Sequence, residues 1–239
     1  MLGRFHEISI ETADIRASVE FYERLGFSQA STGDTWSHPY GVLTDGRLFI
    51  GLHHRQGDAL TVTYVHPGIA QWAAGFESQG IELEMLHVGD ETFNEIAFRD
   101  PAGHRIAVLE ARTYSPVTLP PDGASLCGYF TELSLPTTDF ESMQRFWESL
   151  GFVATDLVES PYVRLPLTSD HLDLAFHRPR TFDAPMLVFT DPQMRERIEK
   201  LREKDIPLSR GLPRGIDPTS NALIEAPEGT TLLLLAGDL

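Results

Sequence analysis

A chain of 239 residues that is 41% hydrophobic and 23% charged has enough apolar material for one or two buried cores. Its formal net charge of −16 argues against binding to nucleic acid or to an anionic membrane, since both require clustered cations. No apolar run approaches the roughly 18 to 20 residues of a membrane span, and the N-terminus lacks a signal-peptide pattern. We therefore expect a cytoplasmic protein. Cys127, as the single cysteine, excludes disulfides within the chain.

The first predicted elements are a strand over residues 5–11 and a helix over 15–27, and both recur later in the chain. Glu7 of the strand matches Glu132 at an offset of 125 residues. The same offset carries three further residues onto identical ones: Asp14 onto Asp139, Phe21 onto Phe146 and Gly26 onto Gly151. Asp14 is a typical helix N-cap and Gly26 a typical helix stop. The chain is therefore an internal duplication.

Three strands are predicted after the first helix, over 28–31, 36–43 and 47–53, which completes a βαβββ unit. A second unit of the same kind follows, with a strand over 60–65, a helix over 68–78 and strands over 82–87, 92–99 and 105–109. Gly80 ends this helix 54 residues after Gly26. Each half of the chain is thus itself a pair of units.

The segment 113–126 is rich in proline and small polar residues, which is typical of a linker. We predict a first domain over 1–112, a linker over 113–127 and a second domain over 128–239, each domain with two βαβββ units. The fold class is α+β, with four units paired into two half-barrel cups.

Two motifs carry a resemblance to a known family. The helix ends in FYERLGF, and Asp100-Pro101-Ala102-Gly103 leads into an apolar strand. This combination resembles the vicinal oxygen chelate superfamily, which includes glyoxalase I, extradiol dioxygenases and the bleomycin and fosfomycin resistance proteins. The resemblance covers nearly the full length and implies the glyoxalase/bleomycin resistance/dioxygenase fold, but it does not select an activity.

The resemblance also implies where an ion would be held. Metal-dependent members use His, Gln or Glu on the opening strand of each unit and Glu on the closing strand, so that several N or O donors converge on one cation. The corresponding residues of the first half are Glu7, Thr61, Gly51 and Ala107, and those of the second are Glu132, Met186, Ala175 and Leu233. Each cup keeps one carboxylate, so we predict no metal ligands and no cofactor. A divalent metal is the less favoured alternative.

Alternation along the strands places other side chains in the cups. On the strand over 47–53, Phe49, Gly51 and His53 face the cup, and His177 is the counterpart of His53. Glu7 with His53, or Glu132 with His177, could act as an acid/base pair or as a polar clamp for a ligand. The plainer alternative is that these histidines end their strands in solvent. The predicted ligand-binding residues are Glu7, Trp36, Phe49, His53, Thr61, Ala107, Glu132 and His177, and the candidate catalytic residues are Glu7, His53, Glu132 and His177.

Three functions remain open at this point. The favoured one is a metal-free protein, similar to the drug-binding resistance members, that binds a small organic molecule in an apolar cup. The alternative is a glyoxalase-like lyase or isomerase, or a dioxygenase-type enzyme, with an incomplete metal site. The third is a protein whose cups are filled by its own side chains. If one cup is occupied, the smaller residues of the first half favour the first, and a homodimer is left open.

Overall fold

The computed structural model describes residues 2–31, 37–55, 57–78, 80–89, 93–110, 125–209 and 211–238, and within the second helix the side chains at 74, 77 and 78 lie outside the description. Trp36 and residues 111–124, which include most of the predicted linker 113–127, therefore lie outside the described residues. No helix in the described part of the chain combines the length and the apolar character that a membrane crossing requires.

The first half forms one mixed sheet of eight strands with two helices. Its elements are β1 (Arg4–Glu11), α1 (Ile15–Arg24), β2 (Ser28–Gln29), β3 (Tyr40–Thr44), β4 (Phe49–His53), β5 (Leu60–His66), α2 (Ile69–Ser78), β6 (Leu83–His87), β7 (Glu95–Arg99) and β8 (Arg105–Glu110). The strand order is β2-β3-β4-β1-β5-β8-β7-β6. Each βαβββ unit thus supplies one side of the sheet.

The second half repeats this plan with seven strands. Its elements are β9 (Tyr129–Pro136), α3 (Phe140–Ser149), β10 (Val153–Ala154), β11 (Arg164–Thr168), β12 (Leu174–His177), β13 (Met186–Asp191), α4 (Met194–Glu203), β14 (Ala222–Glu225) and β15 (Thr231–Ala236). The strand order is β10-β11-β12-β9-β13-β15-β14. Among the described residues, the fourth unit has two strands after its helix instead of three, and an isolated bridge pairs Ser209 with Leu223 of β14. Two mixed sheets with few helices establish the predicted α+β class.

The two units of each half meet at their opening strands. β1 pairs antiparallel with β5, so that Glu7 faces Thr63 and Ser9 faces Thr61 across the strand pair. β1 also pairs parallel with β4, which sets Ser9 beside Gly51. The pairing of β1 with β5 is symmetric under the offset of 54 residues between Gly26 and Gly80, because that offset carries Glu7 onto Thr61 and Ser9 onto Thr63.

The helices begin and end where their capping residues stand. The Asp14 carboxylate accepts a hydrogen bond from the Ala17 amide at 3.0 Å, and Asp139 does the same for Ser142 at 3.0 Å. Gly26 and Gly151 follow the helix ends with φ values of 94° and 102°, a left-handed conformation that suits glycine. The capping signals therefore fix both ends of the duplicated helix.

The two halves share one hydrophobic core, which lies on the helix side of both sheets. Ile8, Ile10 and Ile50 of the first half belong to it together with residues of the second. The rings of Phe27 and Phe189 meet edge to face across the halves, with centroids 6.3 Å apart. Strand residues of the other parity, such as Glu7 and Thr61, stand outside this core. We call the sheet face that they line, opposite the helices, the first cup, and the matching face of the second sheet the second cup.

Two predicted strands and the predicted linker also differ from the sequence-based expectation. The strand predicted over 36–43 is β3, over residues 40–44, because the chain around Pro39 turns into the sheet only at Tyr40. The strand predicted over 28–31 is reduced to the two residues of β2. The last residues of the predicted linker are fixed to the first half, since the Leu126 amide donates to the Leu25 carbonyl at 2.7 Å.

Candidate functional site

A carboxylate and an imidazole meet at the floor of the first cup. Glu7 lies in the middle of β1 and His53 is the last residue of β4, and both side chains are buried. His53 Nε2 lies 2.8 Å from Glu7 Oε1, within hydrogen-bond distance. The parallel pairing of β1 with β4 brings the two residues, 46 positions apart in the chain, onto the same face. One of the two Glu/His pairs singled out in the sequence is therefore in direct contact.

Hydroxyl groups continue this polar floor. Ser9 Oγ donates to Glu7 Oε1 at 2.7 Å and lies 2.7 Å from Thr63 Oγ1 on the neighbouring strand. A buried carboxylate without partners would be costly, and these contacts offset that cost. Glycine at position 51 is required beside it, because a Cβ there would fall on the Glu7 carboxylate. The Glu7 side chain therefore occupies the space over the closing strand.

His38 extends the chain of polar contacts toward the rim. Its Nε2 lies 2.9 Å from His53 Nδ1, and its side chain is half-buried. Tyr40, the first residue of β3, pairs with His53 in the strand register and stacks on its ring at an interplanar angle of 16°. The sequence gave no signal of the contact between His38 and His53, because His38 precedes the strand and its direction depends on the loop.

Two groups of this site have shifted pKa values. Burial acts to raise the pKa of Glu7, but the hydrogen bond from His53, the charges of His6 and His53 and the Ser9 hydroxyl outweigh it and hold the pKa below its usual range. Burial, with the nearby charges of His53 and Arg55, lowers the pKa of His38. Glu7 is therefore the charged acceptor of the cluster and His38 is a neutral imidazole near pH 7.

The remaining predicted residues of the first cup lie around this cluster. Thr61 and Ala107 are buried on β5 and β8, and Thr61 faces Ser9 across the strand pair. Phe49 begins β4 and is half-buried. Trp36 lies outside the described residues. The cup is therefore lined by hydroxyls, small residues and the Glu7–His53 pair.

In the second cup the matching pair is separated, which corrects the expectation that Glu132 pairs with His177. Glu132 Oε1 lies 3.0 Å from Arg164 Nε, and Tyr162 Oη lies 3.5 Å from the same oxygen. His177 Nδ1 instead accepts from Ser134 Oγ at 2.8 Å, while its Nε2 donates to the Phe182 carbonyl at 3.0 Å. The Glu132 carboxylate therefore lies beside the Arg164 guanidinium, whose charge attracts it, and not beside His177.

The pKa values of Glu132 and His177 are both shifted in the direction that favours the neutral form. Burial raises the pKa of Glu132, and the Arg164 charge offsets only part of that effect. Burial lowers the pKa of His177 to about 4.

The alternative expectation, that these histidines end their strands in solvent, is wrong, since His53 and His177 are both fully buried.

The second cup is filled by its own apolar side chains. A separate hydrophobic cluster occupies it, made of Tyr162, Met186, Val188, Ile216, Leu223, Leu233 and Leu235, with Phe182 and Leu212 packed against it. The strand residues of this cluster replace small ones of the first cup, since Met186 and Leu233 match Thr61 and Ala107. Residues of the loops before β11, β13 and β14 pack against the strand residues of this cluster.

The donor set of each cup does not fit a divalent ion. At the four positions that hold the ion in metal-dependent members of the family, the first cup has one carboxylate, Glu7, and one hydroxyl, Thr61. The other two positions are Gly51 and Ala107, whose side chains have no atom that could bind a metal ion. At the same positions the second cup presents Glu132, a thioether and two aliphatic residues. A catalytic zinc site has about three protein ligands, and calcium takes roughly six to eight oxygen ligands. Among the described residues, no three His, Cys, Asp or Glu side chains come together as a potential ion site.

Comparison with known proteins gives matches in structure alone. The sequence matches no family model and no curated protein. A catechol 2,3-dioxygenase structure is 15% identical, with 96% of this chain and 86% of that chain covered and a TM-score of 0.61. The Mn(II)-bound glyoxalase from Novosphingobium aromaticivorans is 14% identical, with 96% and 80% covered and a TM-score of 0.64. Homoprotocatechuate 2,3-dioxygenase from Arthrobacter globiformis is 17% identical, with 97% and 78% covered and a TM-score of 0.62.

These neighbours are members of the vicinal oxygen chelate superfamily, and the similarity extends over nearly the whole chain. The chain has the fold of this superfamily. Its two mixed sheets are the tandem halves that the duplicated sequence predicted. At these levels of identity the likeness establishes the fold and leaves the activity to the site itself.

Proposed function

We propose that the protein binds a small organic molecule in the first cup, without a metal, and that the Glu7–His53 pair is its polar anchor. The observation that carries the proposal is this buried pair, joined at 2.8 Å and surrounded by half-buried rings at the rim. A site that combines a few convergent polar groups with apolar and aromatic walls is typical of small-molecule binding. His38, Tyr40 and Phe49 provide such walls.

The contrast between the two cups supports the choice of the first. Large apolar side chains of the second sheet and its loops pack together over the second cup. At the matching positions the first cup has Thr61 and Ala107, whose side chains are smaller than those of Met186 and Leu233. The duplication thus provides one half with a lining for a ligand and the other with an ordinary core.

Ligand-induced stabilisation tests the proposal. Purified protein would be heated with a panel of aromatic and antibiotic compounds, and a ligand at 100 times its dissociation constant stabilises the folded state by about 2.7 kcal/mol. We expect a bound compound to be lost from Glu7→Gln with little change in the melting temperature of the unliganded protein. A variant that loses stability but keeps its affinity would contradict the role of Glu7.

The alternative is an enzyme of the glyoxalase or dioxygenase type with an atypical ion site, and the Mn(II)-bound glyoxalase among the structural neighbours gives it support. Metal analysis of protein purified without chelators separates the two. A divalent ion retained near one per chain, and removable with loss of an activity, would replace the metal-free proposal.

A further inference from the structure

An arginine stands among the cup-facing residues of the first sheet, at the beginning of β8. Arg105 pairs in register with Thr61 of β5 and with Arg99 of β7, and it shares its face of the sheet with Ala107, two residues further along. Since Thr61 and Ala107 line the first cup, Arg105 belongs to the same lining. Its side chain is 13% exposed, so it is mostly enclosed but still in contact with solvent.

Two carboxylates flank the Arg105 guanidinium without accepting a hydrogen bond from it. The Nε atom lies 3.7 Å from Asp58 Oδ2 and 3.6 Å from Glu84 Oε2. These distances are those of an ion pair and exceed the roughly 3.2 Å reach of an N–H···O hydrogen bond. No hydrogen bond from this guanidinium is found within the described part of the chain.

Arg99 occupies the carboxylate that would otherwise serve Arg105. Its Nη1 and Nη2 donate to the two Asp58 oxygens at 2.9 and 2.8 Å, and its Nη2 lies 3.2 Å from Glu84 Oε1. The hydrogen bond from Arg99 is the main cause that holds the pKa of Asp58 below its usual range. The four charges cancel, but the hydrogen-bonding groups do not, because the N–H donors of Arg105 are left without an acceptor.

We propose that Arg105 binds an oxyanion group, a carboxylate or a sulfonate, of the molecule held in the first cup. A planar guanidinium presents parallel N–H groups that match two oxygens of such a group, and charge-assisted hydrogen bonds are about twice as strong as neutral ones. The inference rests on the proposed binding in the first cup and adds the ligand class, an organic acid.

The sheet register sets the distance between Arg105 and the polar anchor. Ser9, which donates to Glu7, faces Thr61 across β1 and β5, and Thr61 lies beside Arg105 across β5 and β8. Adjacent strands are roughly 4.8 Å apart, so two spacings separate the backbones of Ser9 and Arg105 by about 10 Å. A ligand that reaches both groups has its acid at one end, a hydroxyl or amine at the other and an apolar body between them.

The second half lacks this pair of arginines. An offset of 126 residues carries Arg105 onto Thr231 and Arg99 onto Glu225. The duplicated fold therefore does not require an arginine at the start of this strand, and Arg105 is particular to the first cup.

Two fluorescent probes that differ in one group test the oxyanion site. 8-Anilinonaphthalene-1-sulfonate carries a sulfonate, and N-phenyl-1-naphthylamine has the same rings and N–H without it. We expect Arg105→Gln to weaken binding of the sulfonate probe by roughly 10- to 100-fold and to leave the dissociation constant of the neutral probe unchanged. Arg16→Gln removes the same charge at an exposed position of α1, and this control is expected to leave both dissociation constants unchanged.

The outcomes separate the oxyanion site from the binding proposal. Equal dissociation constants of the sulfonate probe for Arg105→Gln and Arg16→Gln, with the neutral probe bound by both, would overturn the oxyanion site and leave the binding proposal standing. Failure of the wild type to bind the sulfonate probe would overturn the oxyanion site as well. The proposed function fails if neither these probes nor any compound of the panel binds.

A measurement by NMR covers the case in which Arg105→Gln does not fold. In wild-type protein labelled with ¹⁵N-arginine, we expect the sulfonate probe, and not the neutral one, to shift one guanidinium Nε–H signal. Arg105→Lys keeps the charge at this position and is expected to lack that signal. Persistence of the shifted signal in Arg105→Lys, or the absence of any shift in the wild type, would show that Arg105 does not bind the oxyanion.

Discussion

Gly51 and Glu7 share one space in the first cup, which makes the glycine sensitive to any substitution. In Gly51→Ala the new Cβ would collide with the Glu7 carboxylate. We expect a loss of about 1–3 kcal/mol in the free energy of unfolding, as for other overpacked sites. Urea denaturation of Gly51→Ala and the wild type measures this loss, and Gly75→Ala is the control.

The control glycine lies inside α2, where an added Cβ meets none of the described atoms within 4 Å. Alanine is favoured over glycine in a helix interior by roughly 0.5–1 kcal/mol. Gly75→Ala is therefore expected to retain or raise stability. Equal effects of the two substitutions would show that Glu7 moves aside at no cost.

His177 gives the protein a pH-dependent loss of stability. Its pKa is about 4 in the folded chain and 6.5 in an ordinary setting, so the unfolded chain binds the proton first as the pH falls. The stability that depends on neutral His177 is fully present above pH 6.5 and declines as the pH falls from 6.5 to 4. Over this range the free energy of unfolding decreases by about 3 kcal/mol. We expect His177→Gln to be less sensitive over this window.

Urea denaturation at several pH values between 7 and 4 measures this dependence, with His171→Gln as the matched variant. His171 is exposed in a turn, so we expect its removal to leave the pH dependence of the free energy of unfolding as in the wild type. A slope shared by the wild type and both variants would show that His177 is not the group responsible.

The sequence predicted well where the strands lie and which face of the sheet each side chain is on. It predicted less well which side chains contact each other. The pairing of Glu7 with His53 follows from alternation along β1 and β4, which the apolar pattern reveals. The separation of Glu132 from His177 does not, because it depends on Arg164 reaching across from β11. The contact of His38 with His53 depends on a loop before β3, and loop direction has no periodic signal.

The strands of the second cup act as core, and this makes their large residues essential for stability. Leu233 on β15 is fully buried and packs in the apolar cluster of that cup. We expect Leu233→Ala to cost about 2–5 kcal/mol in the free energy of unfolding, because it leaves a cavity. The matching residue of the first half is already alanine, Ala107.

Leu157→Ala is the control for this substitution, since Leu157 is exposed by 49% and its loss is expected to stay within about 0.5 kcal/mol. Comparable, small losses for both variants in urea denaturation would indicate that the second cup rearranges to fill the space. The interpretation of that cup as a packed core would then be wrong.

Helix α1 of the first half is attached to the turn before β15 in the second half. Glu228 accepts hydrogen bonds from Ser18 Oγ at 2.7 Å and from Tyr22 Oη at 2.8 Å. We expect Glu228→Ala to lower the free energy of unfolding by about 1–3 kcal/mol, since bonds to a charged acceptor are lost. Glu225→Ala, an exposed position on β14, is the control. Equal stability of the two variants would contradict a role for this contact.

The shared core predicts that the two halves unfold together. Phe27 packs on Phe189 and Phe98 on Phe146, with ring centroids 6.3 Å apart in both pairs, so each half covers apolar surface of the other. Trp72 reports on the first half and Trp147 on the second. In a variant that keeps only Trp72 and in one that keeps only Trp147, we expect the fluorescence and the far-UV circular dichroism of that variant to give the same urea midpoint, as a two-state transition requires. Two separated midpoints would show that the interface is weaker than either half and that the duplicated domains fold independently.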